Sequence, residues 1–216
     1  MIYSLEQLHY RQNSGLLYQM YRLRKKVFFD QLNWDIDVQG NLERDSYDEL
    51  DPVYLMLADP KRGQVFASMR LMPTTGPTLL HDVFEDTMPD AAKLSAPAIW
   101  ECTRFCVDEE LDQRRTYLPH LPASSLLLLG LCEFGLKTGI QTIAANFDPA
   151  MRRIYHKAGC EVEVLGRSDV HGARPVCCGV FEVSNRIHRQ MRDKLGLRSP
   201  VYAGAPSDKD LGREAA

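Results

Sequence analysis

The chain has no segment able to span a membrane. No apolar run approaches the roughly 20 residues that cross a bilayer. The longest, Leu126–Leu129 with its neighbours, is broken by Gly130 and Glu133. The N-terminus lacks the basic-then-apolar order of a secretory signal. Neither sign of charge dominates: 26 Lys and Arg stand against 29 Asp and Glu, a formal net charge of −3. That balance argues against a general electrostatic grip on nucleic acid. Six cysteines (102, 106, 132, 160, 177 and 178) form no CxxC pair and have no histidine at ligand spacing. Reduced, buried cysteines in a cytoplasmic protein are expected, with no disulfide framework and no metal.

What is present is an ordinary globule: 44% hydrophobic and 25% charged residues in 216 suit one domain. Residues 1–197 read as that domain, and the small, polar, Pro/Gly-containing stretch 198–216 reads as a disordered tail. Leu16–Leu32 reads as an amphipathic helix, with Leu16, Leu17, Met20, Leu23, Val27 and Phe28 on its buried face. Arg24 falls on that same face. An unpaired guanidinium there would cost several kcal/mol, so it needs a carboxylate. Residues 35–51 supply Asp35, Asp37, Glu43, Asp45, Asp48, Glu49 and Asp51 against the single cation Arg44. A structural ion pair that fixes this loop to the helix accounts for Arg24 taken alone.

Val53–Ala58 and Gln64–Met72 read as a hairpin, and Thr78–Glu85 as a short helical segment. Ile99–Val107 reads as a strand. Ser124–Thr138 reads as a helix capped by Ser124 or Ser125 and stopped by Gly139. Ile140–Phe147 is a strand, and Asp148-Pro149 opens a helix closed by Gly159. Glu161–Leu165 and Val176–Val183 are late strands before a helix at Asn185–Leu195. Helix, strands, then a strand–helix–strand–helix half predict a three-layer α-β-α sandwich around a mixed central sheet.

The strand Trp100-Glu101-Cys102-Thr103-Arg104-Phe105 carries two charges. Alternation puts Glu101, Thr103 and Phe105 on one face and Arg104 on the other. An inward carboxylate suits a general base, or an ion pair with Arg24 or Arg70. Arg24 with Phe28, Trp34, Asp45 and Asp48 in RDSYD, Arg70 in MRLMPTTGP, and Glu101 with Arg104 in WECTRF together resemble the signature of the acyl-homoserine-lactone synthases, the LuxI-type autoinducer synthases. The resemblance covers residues 1 to 190.

The resemblance implies a fold similar to the GCN5-type N-acyltransferases and a reaction with two substrates. S-adenosylmethionine gives the amine, and an acyl thioester on acyl carrier protein or CoA gives the acyl group. S-adenosylmethionine is a substrate here, and no further cofactor is implied. Asp45 and Asp48 suit its cationic end, and Trp34 and Phe28 its adenine or sulfonium. Arg24, Arg70 or Arg104 suits its carboxylate. Glu101 is the expected base, acting through a water, with Thr103 and Phe105 beside it. Leu126, Ala145 and Phe147 line the expected acyl pocket, and Ala145 implies an unsubstituted chain. Arg152, Arg153 and Lys157 project outward and suit an acidic carrier protein; a solvated helix face explains them nearly as well. The alternative is an acetyl-CoA-dependent N-acetyltransferase of the same fold. Val107–Leu118, where that family grips pyrophosphate with glycines, contains none.

Overall fold

The computed structural model describes residues 1–88, 90–172 and 174–212. In chain order the strands are β1 Ile2–Leu5, β2 Val38–Gln39, β3 Leu42–Glu43, β4 Val53–Asp59, β5 Gln64–Pro73, β6 Ile99–Val107, β7 Thr142–Phe147, β8 Glu163–Ser168, β9 Val176–Glu182 and β10 Tyr202–Gly204. The helices are α1 Gln7–Tyr10, α2 Ser14–Arg24, α3 Leu79–Asp82, α4 Glu109–Asp112, α5 Ala123–Thr138, α6 Arg152–Ala158 and α7 Asn185–Leu195. They sort into two compact units. Of the described residues, the first holds those within 1–70, 104–127 and 201–212, and the second those within 71–103 and 128–200.

In the first unit the strand order is β10-β1-β4-β5-β6. β1 runs parallel to β10 and antiparallel to β4, with Ile2 opposite Leu57 and Leu5 opposite Tyr54. α2 lays Leu16, Leu17, Met20, Tyr21 and Leu23 on Tyr3, Leu5, Tyr54, Met56, Ala58 and Val65. In the second unit the order is β6-β7-β9-β8. β6 and β7 are parallel, and β9 is antiparallel to both β7 and β8. Each unit is therefore α/β with a mixed sheet, as the element order predicts. Among the described residues no helix is long and apolar enough to cross a membrane.

Three expectations are corrected. The helix read over Leu16–Leu32 is α-helical only to Arg24; Lys25–Gln31 widens into a π-helix, and the Leu32 N–H reaches back to the Val27 carbonyl at 3.0 Å. Such widened turns recur at functional sites. α5 begins at Ala123, so Ser124 and Ser125 lie in its first turn, where the Ser125 N–H bonds the Pro122 carbonyl at 3.1 Å. The third correction concerns the tail, which is not disordered over 198–212. The Ile2 N–H donates to the Val201 carbonyl at 2.9 Å, β10 pairs with β1, and the Tyr3 hydroxyl donates to Asp210. Val201, fully buried, is the apolar anchor that the polar composition hides. Residues 213–216 lie outside the described residues.

Candidate active site

The acidic loop is shaped by two local devices. Gly40, at φ +60°, makes the tight turn between β2 and β3, which pair Val38 with Glu43. That hairpin turns Glu43 inward. Asp45 and Asp48 then cap the turn Ser46–Glu49 reciprocally. Asp45 accepts from the Tyr47 N–H at 3.0 Å, and Asp48 from the Asp45 N–H at 2.9 Å. The Asp-x-x-Asp spacing is thus a capping box that aims its remaining lone pairs elsewhere.

Those lone pairs meet arginines. Arg24 donates to both oxygens of Asp48, at 2.7 and 2.8 Å, and through Nε to Glu43 at 2.5 Å. Arg70 donates to Asp48 at 3.0 Å and to both oxygens of Asp45. Arg104 donates to Glu43 at 3.2 Å and to Asp45 at 2.7 Å. Three guanidinium groups and three carboxylates alternate in one neutral network within the first unit. Tyr54 adds a hydroxyl to Asp48 at 2.8 Å, and Tyr21 meets Tyr54 at 2.9 Å. Burial alone would raise the Asp48 pKa, but the Arg24 and Arg70 guanidiniums hold it well below the usual carboxylate range. Burial likewise opposes the charge on Arg24, and Asp48 and Glu43 outweigh it. At Arg104 burial wins and the pKa falls.

The network divides by exposure. The Arg24, Glu43, Asp48 and Arg70 side chains are at most 1% exposed, whereas Asp45 and Arg104 reach the surface at 20% and 11%. Phe28, buried, stacks on half-exposed Trp34 with centroids 4.8 Å apart and planes 23° apart. The Arg104 guanidinium lies 5.7 Å from the Phe28 ring centroid. Seven of the eight signature positions therefore converge in this unit. Glu43 and Tyr54 join them without belonging to the signature. The signal available for Glu43 is its place among the loop acids, two residues before Asp45; nothing in the sequence marks Tyr54.

Glu101, in the second unit, is 1% exposed. Its carboxylate accepts the N–H of Leu79 at 3.2 Å and of Leu80 at 2.5 Å, the first two amides of α3, while Thr78 caps the His81 N–H. These two amides fix the orientation of the carboxylate. Arg104 breaks the expected alternation. At φ +53° it is left-handed, so side-chain parity does not carry through it from Thr103 to Phe105, both half-buried.

Leu126, Ala145 and Phe147 are buried, and Phe147 packs against Tyr155 and Phe181. Arg152, Arg153 and Lys157 are exposed on α6, as expected, and His156 is exposed with them. All six cysteines are free and buried. Burial pushes the Cys102 and Cys160 thiols up to about 12, and Cys106, Cys132 and Cys178 up to about 11. None of these five is poised as a nucleophile.

The fold recurs in a distant solved structure of an acyl-transferring enzyme. An N-acyl amino acid synthase from uncultured soil microbes, 11% identical, superposes with a TM-score of 0.56 over 87% of this chain and 98% of its own. At that identity the likeness is one of fold alone. More specifically, the autoinducer synthase pattern matches residues 7–191, and the chain belongs to that family. It is 40% identical over 181 residues to an acyl-homoserine-lactone synthase of Rhizobium etli, 82% of each chain. It also resembles a solved CoA-dependent acyl-homoserine lactone synthase holding SAM and isopentyl-CoA. That protein is 26% identical with a TM-score of 0.79, over 99% of this chain and 97% of that one.

Proposed function

We propose that this chain is an acyl-homoserine-lactone synthase that makes a quorum-sensing signal. It transfers an acyl group from a thioester to the amine of S-adenosylmethionine and then closes the lactone. The observation that carries the reading is the convergence of Arg24, Asp45, Asp48, Arg70 and Arg104, with Glu43, in one neutral network beside the Phe28–Trp34 stack, within a family member.

The ammonium of S-adenosylmethionine must first lose a proton. Glu101, held by two backbone amides, takes it through a water. The amine attacks the thioester carbonyl; the N–C bond forms as the C–S bond breaks and the thiolate leaves. Backbone amides of β6 steady the oxyanion. The substrate carboxylate then attacks the carbon beside the sulfonium. That C–O bond closes the five-membered ring as the C–S bond breaks and methylthioadenosine departs. This step needs orientation more than proton transfer.

Differences in exposure support different roles for these residues. Arg24, Arg70 and Asp48 are sealed and act as positioning residues. Asp45, Arg104 and Trp34 are the members within reach of a ligand. Arg104 is the candidate for the substrate carboxylate, and Trp34 on Phe28 for the adenine or sulfonium. Thr103 and Phe105 flank Arg104 in β6. Leu126, Ala145 and Phe147 belong to the acyl side. Arg152, Arg153 and Lys157 suit an acidic acyl carrier protein as donor. No further cofactor is needed by this chemistry, and the proposed compartment is the cytoplasm.

Mass spectrometry of a reaction with S-adenosylmethionine and acyl carrier protein or CoA donors tests the reading. N-acyl-homoserine lactone appearing with methylthioadenosine supports it. Acylation of some other amine from CoA would return the chain to the ordinary N-acetyltransferases.

A further inference from the structure

We infer that β8 positions Glu101 at second hand: Gly166, Ser168 and His171 fix the segment Leu79–Thr87, and that segment holds the Glu101 carboxylate. The inference rests on the reading of Glu101 as the base, and every residue in it belongs to the second unit.

The segment is tied to itself from end to end. Its first two amides, of Leu79 and Leu80, donate to Glu101. The Leu79 carbonyl accepts the N–H groups of Val83 and Phe84, each at 2.9 Å. The Phe84 carbonyl in turn accepts the Thr87 N–H at 2.9 Å and the Thr87 hydroxyl at 2.6 Å. Two successive hydrogen-bonded turns therefore connect the donors of Glu101 to Thr87. A shift of Thr87 is passed on to Leu79 and Leu80.

The far end is pinned to β7, β8 and the turn after β8. Asp86 accepts the Ser168 hydroxyl and meets His171 Nε2 at 2.5 Å. The His171 ring stands edge-on to Phe84, with centroids 4.8 Å apart. Asn146 donates to the Thr87 hydroxyl at 3.0 Å. Gly166 makes the closest approach. A Cβ there would overlap the Thr87 carbonyl oxygen and stand 3.1 Å from its carbon and 3.6 Å from Met88 Cα. Gly166 is not among the glycines of positive φ, so contact with Thr87 is what excludes a side chain. β8 also shifts its register between Val164 and Gly166, and Leu165 packs in the cluster of Leu80, Leu94, Ala144 and Cys178. The edge of the sheet thus sets where the two amides stand. A base has to lie within hydrogen-bond reach of the proton it takes, and a misplacement of about 1 Å costs up to about 10²-fold.

The test is a double-mutant cycle in the full chain, read by methylthioadenosine release. G166A and D86N are each made in the parent and in E101Q. In the parent, kcat should fall by about tenfold or more with KM for S-adenosylmethionine hardly changed. In E101Q the same substitutions should cost less than about twofold further, because the group they position is already gone. D86N loosens the clasp without crowding it, and carries the test where G166A does not fold. An equal fold-loss in both backgrounds marks a general structural role and overturns the inference; so does parental kcat in the folded variants. Both of those outcomes leave Glu101 as the base. E101Q as active as the parent overturns the base reading itself and this inference with it.

Discussion

Arg24 holds Asp48 with both terminal nitrogens, Nη1 to Oδ1 at 2.7 Å and Nη2 to Oδ2 at 2.8 Å, where neither side chain meets water. The pair locks α2 to the acidic loop. Removing one partner leaves the other as an uncompensated buried charge. D48N should therefore lose about 3–5 kcal/mol of stability. Urea unfolding followed by circular dichroism measures this; a loss below about 1 kcal/mol would show that the network is dispensable.

The same pair sets the response to acid. The Asp48 pKa is depressed in the folded chain, so its contribution is fully present above the ordinary carboxylate value of about 3.9. It is lost only as pH falls through the lower folded value. Across pH 5 to 7 the Asp48 term should be flat, and the melting temperature of D48N should converge on that of the parent only under strongly acidic conditions. A difference that vanishes between pH 5 and 7 would contradict the assignment.

Glu101→Gln keeps one carbonyl oxygen for the Leu79 and Leu80 amides but removes the base. Turnover should fall by about 10²–10⁴ while calorimetric binding of S-adenosylmethionine persists. Unchanged turnover would leave Glu101 as a cap for α3 and nothing more.

Charge reversal at Arg152 and Arg153 should raise KM for a carrier-bound donor and leave KM for a CoA-bound donor nearly unaltered. The raised KM should shrink with added salt, because exposed charges are screened. An identical effect on both donors would remove the docking role of α6.

Much of this site is legible in the sequence, because charge inside an apolar pattern is costly and therefore informative. Arg24 on a helix face otherwise made of Leu16, Met20 and Phe28, and Glu101 inside an apolar strand, stand out by residue pattern, which fits an ion pair equally well; the resemblance is what makes them candidate site residues. The parts that are not legible depend on backbone geometry that the pattern rules do not encode. Periodicity carries the helix of Arg24 through Gln31, but the turns widen after Arg24. Alternation carries β6 through Arg104, but a left-handed residue resets it. Glu43 becomes the third carboxylate only because a two-residue turn at Gly40 folds it back. The fold class is readable from element order; the ordered segment after Arg198 is not, because one buried valine outweighs a polar composition.

That last segment guards the protein against itself. β10 is three residues long and lies at the margin of its sheet, beside β1. Cut away, it would uncover a row of unpaired amides and carbonyls along Ile2–Leu5, the kind of open margin on which neighbouring chains nucleate aggregates. A shortened version ending at Arg198 would keep every residue of the arginine–carboxylate network and still be a poor reagent, its weakness being colloidal rather than catalytic.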